Sequence, residues 1–92
     1  MKTIWIVQYN TGYTSEGFTE AFKEEVDARL RYVKLFNDYV IPAVENAGLT
    51  VAELLNNEEL SEENDIYINE NEASFDGPEV FERISIFELE IN

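Results

Sequence analysis

The stretch from Leu35 to Glu82 holds thirteen carboxylates and no lysine or arginine. Moving an ionised carboxylate out of water costs several kcal/mol even after the protein relaxes around it, so any fold of this chain must keep that run of charge on its surface. The interior has to be built from the apolar residues between the charges. Across all 92 residues there are 20 acids, 6 bases and no histidine, a formal charge of −14, well beyond the magnitude of about 2–8 that suits a small domain. Such repulsion opposes compaction and pushes the chain away from anionic surfaces, while a strongly basic partner is drawn towards it. Disorder is the simplest outcome of that imbalance, but 45% hydrophobic residues, with six phenylalanines, five tyrosines and a tryptophan, are too many for a solvating tail.

The length suits one domain, residues 1–92, with one modest core. Without cysteine there is neither a disulfide framework nor a thiolate metal site, and a reducing, cytoplasmic setting is the default. The apolar run Ile4 to Val7 falls short of a signal peptide or a membrane span, so no membrane association is expected. A domain so small and so charged gains from covering an apolar face with a second copy, and a homodimer is expected.

Thr3 to Tyr9 combines β-branched and aromatic residues with near alternation before Asn10 and Gly12, and predicts a strand near 2–9. Phe18, Phe22, Val26, Leu30 and Val33 recur at steps of three and four, which predicts one long helix over about 16–40, capped by Ser15, with these residues on its buried face. The same register sets Glu16, Glu20, Glu24 and Asp27 together on the opposite face. Arg29, Arg31 and Lys34 fall in the last turns, favourable for cations. Pro42 should kink or restart the helix, giving a short segment at about 42–47 that ends at Gly48, a natural left-handed position.

Thr50 and Glu53 match a capping box for a third helix over about 51–57. The segment Glu58 to Asp65 is compatible with an acidic loop or a further helical turn. Strands are expected near 65–70 and 80–91, with Ala73 to Pro78 as the turn between them. The fold expected is α+β: a small three-stranded antiparallel sheet packed against the long helix and the two shorter ones, without internal repeats or long linkers.

Chemistry is narrowly bounded. The lack of histidine and cysteine removes the usual general base, nucleophilic thiolate and transition-metal ligands. No serine and lysine share a Ser-x-x-Lys spacing, and paired carboxylates are uninformative among so many acids. Aligning Gly77 as the glycine of a calcium loop puts Arg83 where a bidentate glutamate is required. The loop after the first strand lacks the lysine and spacing of a phosphate cradle. The net charge has the wrong sign for nucleic acid. No enzymatic activity, no cofactor, no specific metal site and no direct nucleic-acid binding are expected.

What remains is recognition of protein by a shaped negative surface. Proteins that hold DNA do so in large part through its regularly spaced phosphates. Carboxylates at Glu16, Glu20, Glu24 and Asp27, continued by Glu58, Glu59, Glu62, Glu63 and Asp65 and by Glu70, Glu72, Asp76 and Glu79, are candidates for a comparable array. A chain presenting them would compete with DNA for a basic cleft. The plainer alternative is that these are ordinary solvated faces.

In its size, its charge, its lack of cysteine and histidine, and its Lys2-to-Tyr9 strand ahead of an acidic helical middle, the chain resembles the small DNA-mimic inhibitors of bacteriophages, most closely the anti-restriction nuclease proteins of T4-like phages. The resemblance implies a dimeric phage protein, acting in the host cytoplasm, that occupies the DNA-binding surface of a host restriction endonuclease. It transfers no catalytic residue. Two other readings stand beside it: an anti-CRISPR or other inhibitor of a nucleic-acid enzyme, and a regulatory or assembly protein that binds through apolar residues such as Trp5, Tyr9, Phe81 or Phe87.

Overall fold

A computed structural model of the chain describes residues 2–10, 17–76 and 81–91, with the backbone alone at Asp76 and Phe81. Five strands form one antiparallel sheet: β1 (Lys2–Asn10), β2 (Phe18–Phe22), β3 (Ile66–Ile68), β4 (Glu72–Asp76) and β5 (Phe81–Ile91), in the order β2-β1-β5-β4-β3. A continuous helix of 22 residues crosses it as α1 (Glu25–Leu35), a π-helical turn (Phe36–Val40) and α2 (Ile41–Asn46). Two shorter helices follow, α3 (Val51–Asn56) and α4 (Glu58–Asn64), and both pack on β3.

Five strands replace the three expected, and each extra strand has a local cause. Phe18-Thr19-Glu20-Ala21-Phe22 lies where the long helix was expected to start, and a step of four residues keeps phase with a strand as well as with a helix. Pairing with β1 decides for the strand, setting Tyr9 opposite Phe18 with their rings stacked at 5.6 Å. Gly17 lies just before β2 with its Cα against the Tyr9 backbone. A Cβ there would meet the Tyr9 carbonyl oxygen at 2.7 Å. Ser15 and Glu16, the expected cap and first turn, lie outside the described residues.

The second added strand, β4, runs through residues read as a turn. The reversal falls earlier, at Asn69-Glu70-Asn71, where the Asn71 N–H donates to Asn69 Oδ1 at 2.9 Å and the Asn69 N–H to the Glu72 carbonyl at 2.9 Å. An asparagine side chain that imitates a backbone turn in this way closes a hairpin without glycine or proline. The strand expected at 65–70 therefore pairs with β4, and β4 pairs with β5.

One face of the sheet meets the helices. Val7, Tyr9, Ala73, Phe75, Ile84, Ile86 and Ile66 from the strands close on Ala28, Tyr32, Leu35, Val40, Val44 and Leu54 from the helices. Ala28, Tyr32 and Leu35 stand at i, i+4 and i+7, so they share one side of α1. The stripe expected to be buried points away from it: Val26, Leu30 and Val33 are 63%, 66% and 52% exposed. The helix carries two apolar stripes, and the sheet takes the one whose alanine permits close approach.

Pro42 lacks an N–H, and its ring crowds the carbonyl of Asp38 four residues back. The widened π turn falls across that position and the helix passes into α2 without a break. Gly48 follows at φ +74°, where a β-carbon is unfavourable. The Thr50–Glu53 capping box forms in both directions. Thr50→Ala is expected to lower stability by about 1 kcal/mol, read as a fall in the urea midpoint with an unchanged slope.

Tyr32 is buried, and its hydroxyl has no hydrogen-bond partner among the described residues. Burial, reinforced by the charge of Glu72 and opposed by Arg29, pushes its pKa from 10.0 up to about 12. Its preference for the neutral phenol favours the fold fully below pH 10. That contribution, on the order of 2–3 kcal/mol, is lost as pH rises towards 12. A titration followed at 295 nm should show this tyrosine ionising near pH 12, with stability falling as the pH rises from 10 towards that value, and Tyr32→Phe should remove that step.

Candidate acidic binding surface

Asn57 opens α4 with its side-chain oxygen accepting from the N–H groups of Glu59 and Leu60 at 3.0 and 3.4 Å. Two acids in the first turn then meet the positive end of the helix. Leu60, Ser61 and Asn64 form the inward side: Leu60 packs on the core, and the buried Ser61 hydroxyl donates to the Leu54 carbonyl. Asn64 Nδ2 donates to the Leu60 carbonyl at 2.9 Å. With those three turned inward, Glu58, Glu59, Glu62 and Glu63 are all exposed. Asp65 caps the end in the left-handed region at φ 53° and is also exposed, a conformation that aspartate tolerates better than most residues.

Four carboxylates on seven residues, at a rise of 1.5 Å each, amount to roughly one charge per 2.6 Å of axis. That density falls between a single DNA strand, about one per 3.4 Å, and the duplex, about one per 1.7 Å. Among the described residues no cation is paired with it: the ion pairs are Arg31 with Glu20 at 2.6 Å, Arg83 with Glu72 at 2.9 Å and Arg29 with Glu25 at 3.4 Å. All three lie away from α4.

The other expected site residues divide sharply. Glu20, Glu24 and Asp27 do not share a helix face: Glu20 stands on β2, held by Arg31, Glu24 precedes α1, and Asp27 lies in its first turn. Glu16 and Glu79 lie outside the described residues, as does the side chain of Asp76. Glu70, at the β3–β4 turn, is exposed, whereas Glu72 is half-buried and paired. The β2 and β3 edges are four strand spacings apart, roughly 19 Å. The Glu20 group and the α4 group are therefore separate patches, and the continuous array expected from the sequence is not formed by the described residues.

Of the apolar candidates, Tyr9 is buried with its hydroxyl donating to Glu82, and Trp5 is half-buried with the Arg29 guanidinium 5.6 Å from its ring centre. Phe87 is 39% exposed, and the side chain of Phe81 lies outside the described residues. Two apolar surfaces extend beyond the residues anticipated: the Val26, Leu30 and Val33 stripe, expected to be buried, and the open face of the β1–β5 pair, where Leu89 and Ile91 continue Phe87. The signal for the second was the alternation of Phe87, Leu89 and Ile91 with glutamates.

Among the described residues no three acids, histidines or cysteines are grouped to hold a metal ion, and no helix is long and apolar enough to cross a membrane. Comparison with protein-family models, with curated protein sequences and with solved structures returned no match.

Proposed function

We propose that this chain is a DNA-mimic inhibitor whose α4 surface occupies the DNA-binding cleft of a basic protein. The observation that carries the reading is the row of Glu58, Glu59, Glu62, Glu63 and Asp65, without an ion-pair partner among the described residues and presented at nucleic-acid charge density on a helix anchored by Leu60 and Ser61. In this reading the array acts by excluding DNA from the cleft. A host restriction endonuclease, met in the cytoplasm, is the target that the resemblance implies, and an anti-CRISPR role would use the same electrostatics against another nucleic-acid enzyme.

The reading includes a second copy of the chain, docked along α1. Val26, Leu30 and Val33 form a solvent-facing stripe at i, i+4 and i+7. Asp27 and Lys34 flank it on one side, seven residues apart. Packing two such helices antiparallel brings the Asp27 of each copy beside the Lys34 of the other. Asp27 then belongs to the dimer contact, and the α4 surfaces are left free for the target.

The experiment is a pull-down from host lysate with the tagged protein, washed at low and then high salt, with duplex DNA as competitor. A mimic should release its target as salt screens the exposed charges and as DNA competes. A partner that resists salt and ignores DNA would refute the mimic reading and move function to the exposed apolar faces, the regulatory or assembly alternative.

A further inference from the structure

β5 is longer than the strand beside it. β4 pairs with Phe81 to Ser85, and the last bond on that side runs from the Ile86 N–H to the Asn71 carbonyl at 2.8 Å. On its other side β5 stays paired with β1 through Ile91. In an antiparallel ladder alternate residues turn both backbone groups to the same neighbour. Ile86 faces β4, so Glu88 and Glu90 turn their N–H and C=O groups the same way, where no strand follows among the described residues. The result is an open edge of about five residues.

The side chains of this edge alternate in character. Phe87, Leu89 and Ile91 are 39%, 44% and 40% exposed on one face, and Glu88 and Glu90 are exposed on the other. Where β4 ends, a groove of about 430 Å³ borders the edge, lined by Trp5, Arg29, Asn71, Glu72, Phe87 and Glu88 among others. Its arginines are already engaged: Arg29 with Glu25 and with Asn71 Oδ1, and Arg83 with Glu72. Glu88 and Glu90 have no such partner among the described residues.

We propose that this edge accepts an extended segment of a partner protein by strand addition, a segment in which apolar residues alternate with lysine or arginine. Its backbone would complete the bonds of Glu88 and Glu90, its apolar side chains would lie beside Phe87, Leu89 and Ile91, and its cations beside the two glutamates. A second copy of β5 fits poorly. Residues that face the edge must pair with residues that face it, so glutamate would stand opposite glutamate in every antiparallel register, and like charges directly opposite are destabilising. The site is distinct from α4 and does not depend on DNA mimicry.

The test is an amide NMR titration at low salt with a ten-residue peptide alternating valine and lysine. Shifts gathered at Phe87 to Ile91, slowed exchange of the Glu88 and Glu90 amides, and no comparable effect from a valine–glutamate peptide are expected. Glu88→Pro and Glu90→Pro remove an outward N–H but no bond to β1, and an edge strand tolerates proline. Each should weaken binding at least tenfold. Glu88→Lys with Glu90→Lys keeps every backbone donor and should reverse the preference between the two peptides, which covers the case in which the proline variants do not fold. Full binding by natively folded proline variants, shifts confined to α4, or edge amides already protected in a dimer of the free protein would each overturn the proposal.

Discussion

Leu35→Ala is expected to destabilise the domain by about 3 kcal/mol, whereas Leu30→Ala, five residues earlier in the same helix, should change the stability of the monomer by less than about 0.5 kcal/mol. Leu35 is 2% exposed in the cluster between sheet and helices, and Leu30 is 66% exposed. Truncating a buried leucine forfeits its transfer energy and leaves a cavity, together about 2–5 kcal/mol, while a surface truncation removes little. Urea unfolding at low protein concentration measures both. Phe22 and Val26 separate in the same way: Phe22 packs against the core, while Val26 is 63% exposed. A loss at Leu30 as large as that at Leu35 would overturn the register of α1 on the sheet. Sedimentation across a range of concentrations adds the second readout, because Leu30→Ala should weaken the proposed α1 dimer and Leu35→Ala should not do so selectively.

Replacing Glu58, Glu59, Glu62 and Glu63 together with glutamine should change stability by no more than about 1.5 kcal/mol and cost roughly 1–4 kcal/mol in binding. On the stability side two effects oppose each other. Removing the like-charge pairs 58/62 and 59/63 relieves about 0.2–0.5 kcal/mol each, and removing the first-turn acids gives up about 0.3–1 kcal/mol each at the helix N-terminus. On the binding side, four exposed charge pairs at about 0.2–1 kcal/mol apiece set the range. Thermal melts and a salt series of target affinity, with duplex DNA as competitor, measure the two halves. The variant should also show a shallower dependence on salt. Unchanged affinity would remove α4 as the mimic surface, and the same experiment on Glu24 and Asp27 would then become the next test.

Legibility varied along the chain for physical reasons. The opening strand, the Thr50 cap and the left-handed Gly48 depend on neighbours within a few residues, and local sequence carries that information. The segment Phe18–Phe22 was ambiguous because a four-residue apolar step satisfies both periodicities, and only its ladder with β1 breaks the tie. The β3–β4 turn was not legible because Gly77 and Pro78 are the stronger local turn signal, while the reversal is made by the side chain of Asn69. Among the site residues, Glu58 to Asp65 could be recognised by charge density, but their common outward direction depends on Leu60, Ser61 and Asn64 turning inward.

The sequence by itself determined that the surface would be strongly negative, that cysteine and histidine chemistry was excluded, and that one apolar core had to form between long runs of acid, because charge, residue type and burial cost are properties of the chain before it folds. Tertiary structure alone decided which of the two apolar stripes of α1 was buried, which carboxylates Arg29, Arg31 and Arg83 paired with and which edge of β5 was left open. Each of those outcomes is set by contacts between residues far apart in sequence. The close approach of Ala28 to the sheet, the reach of Arg31 to Glu20 and the early end of β4 exist only once the strands have taken their order.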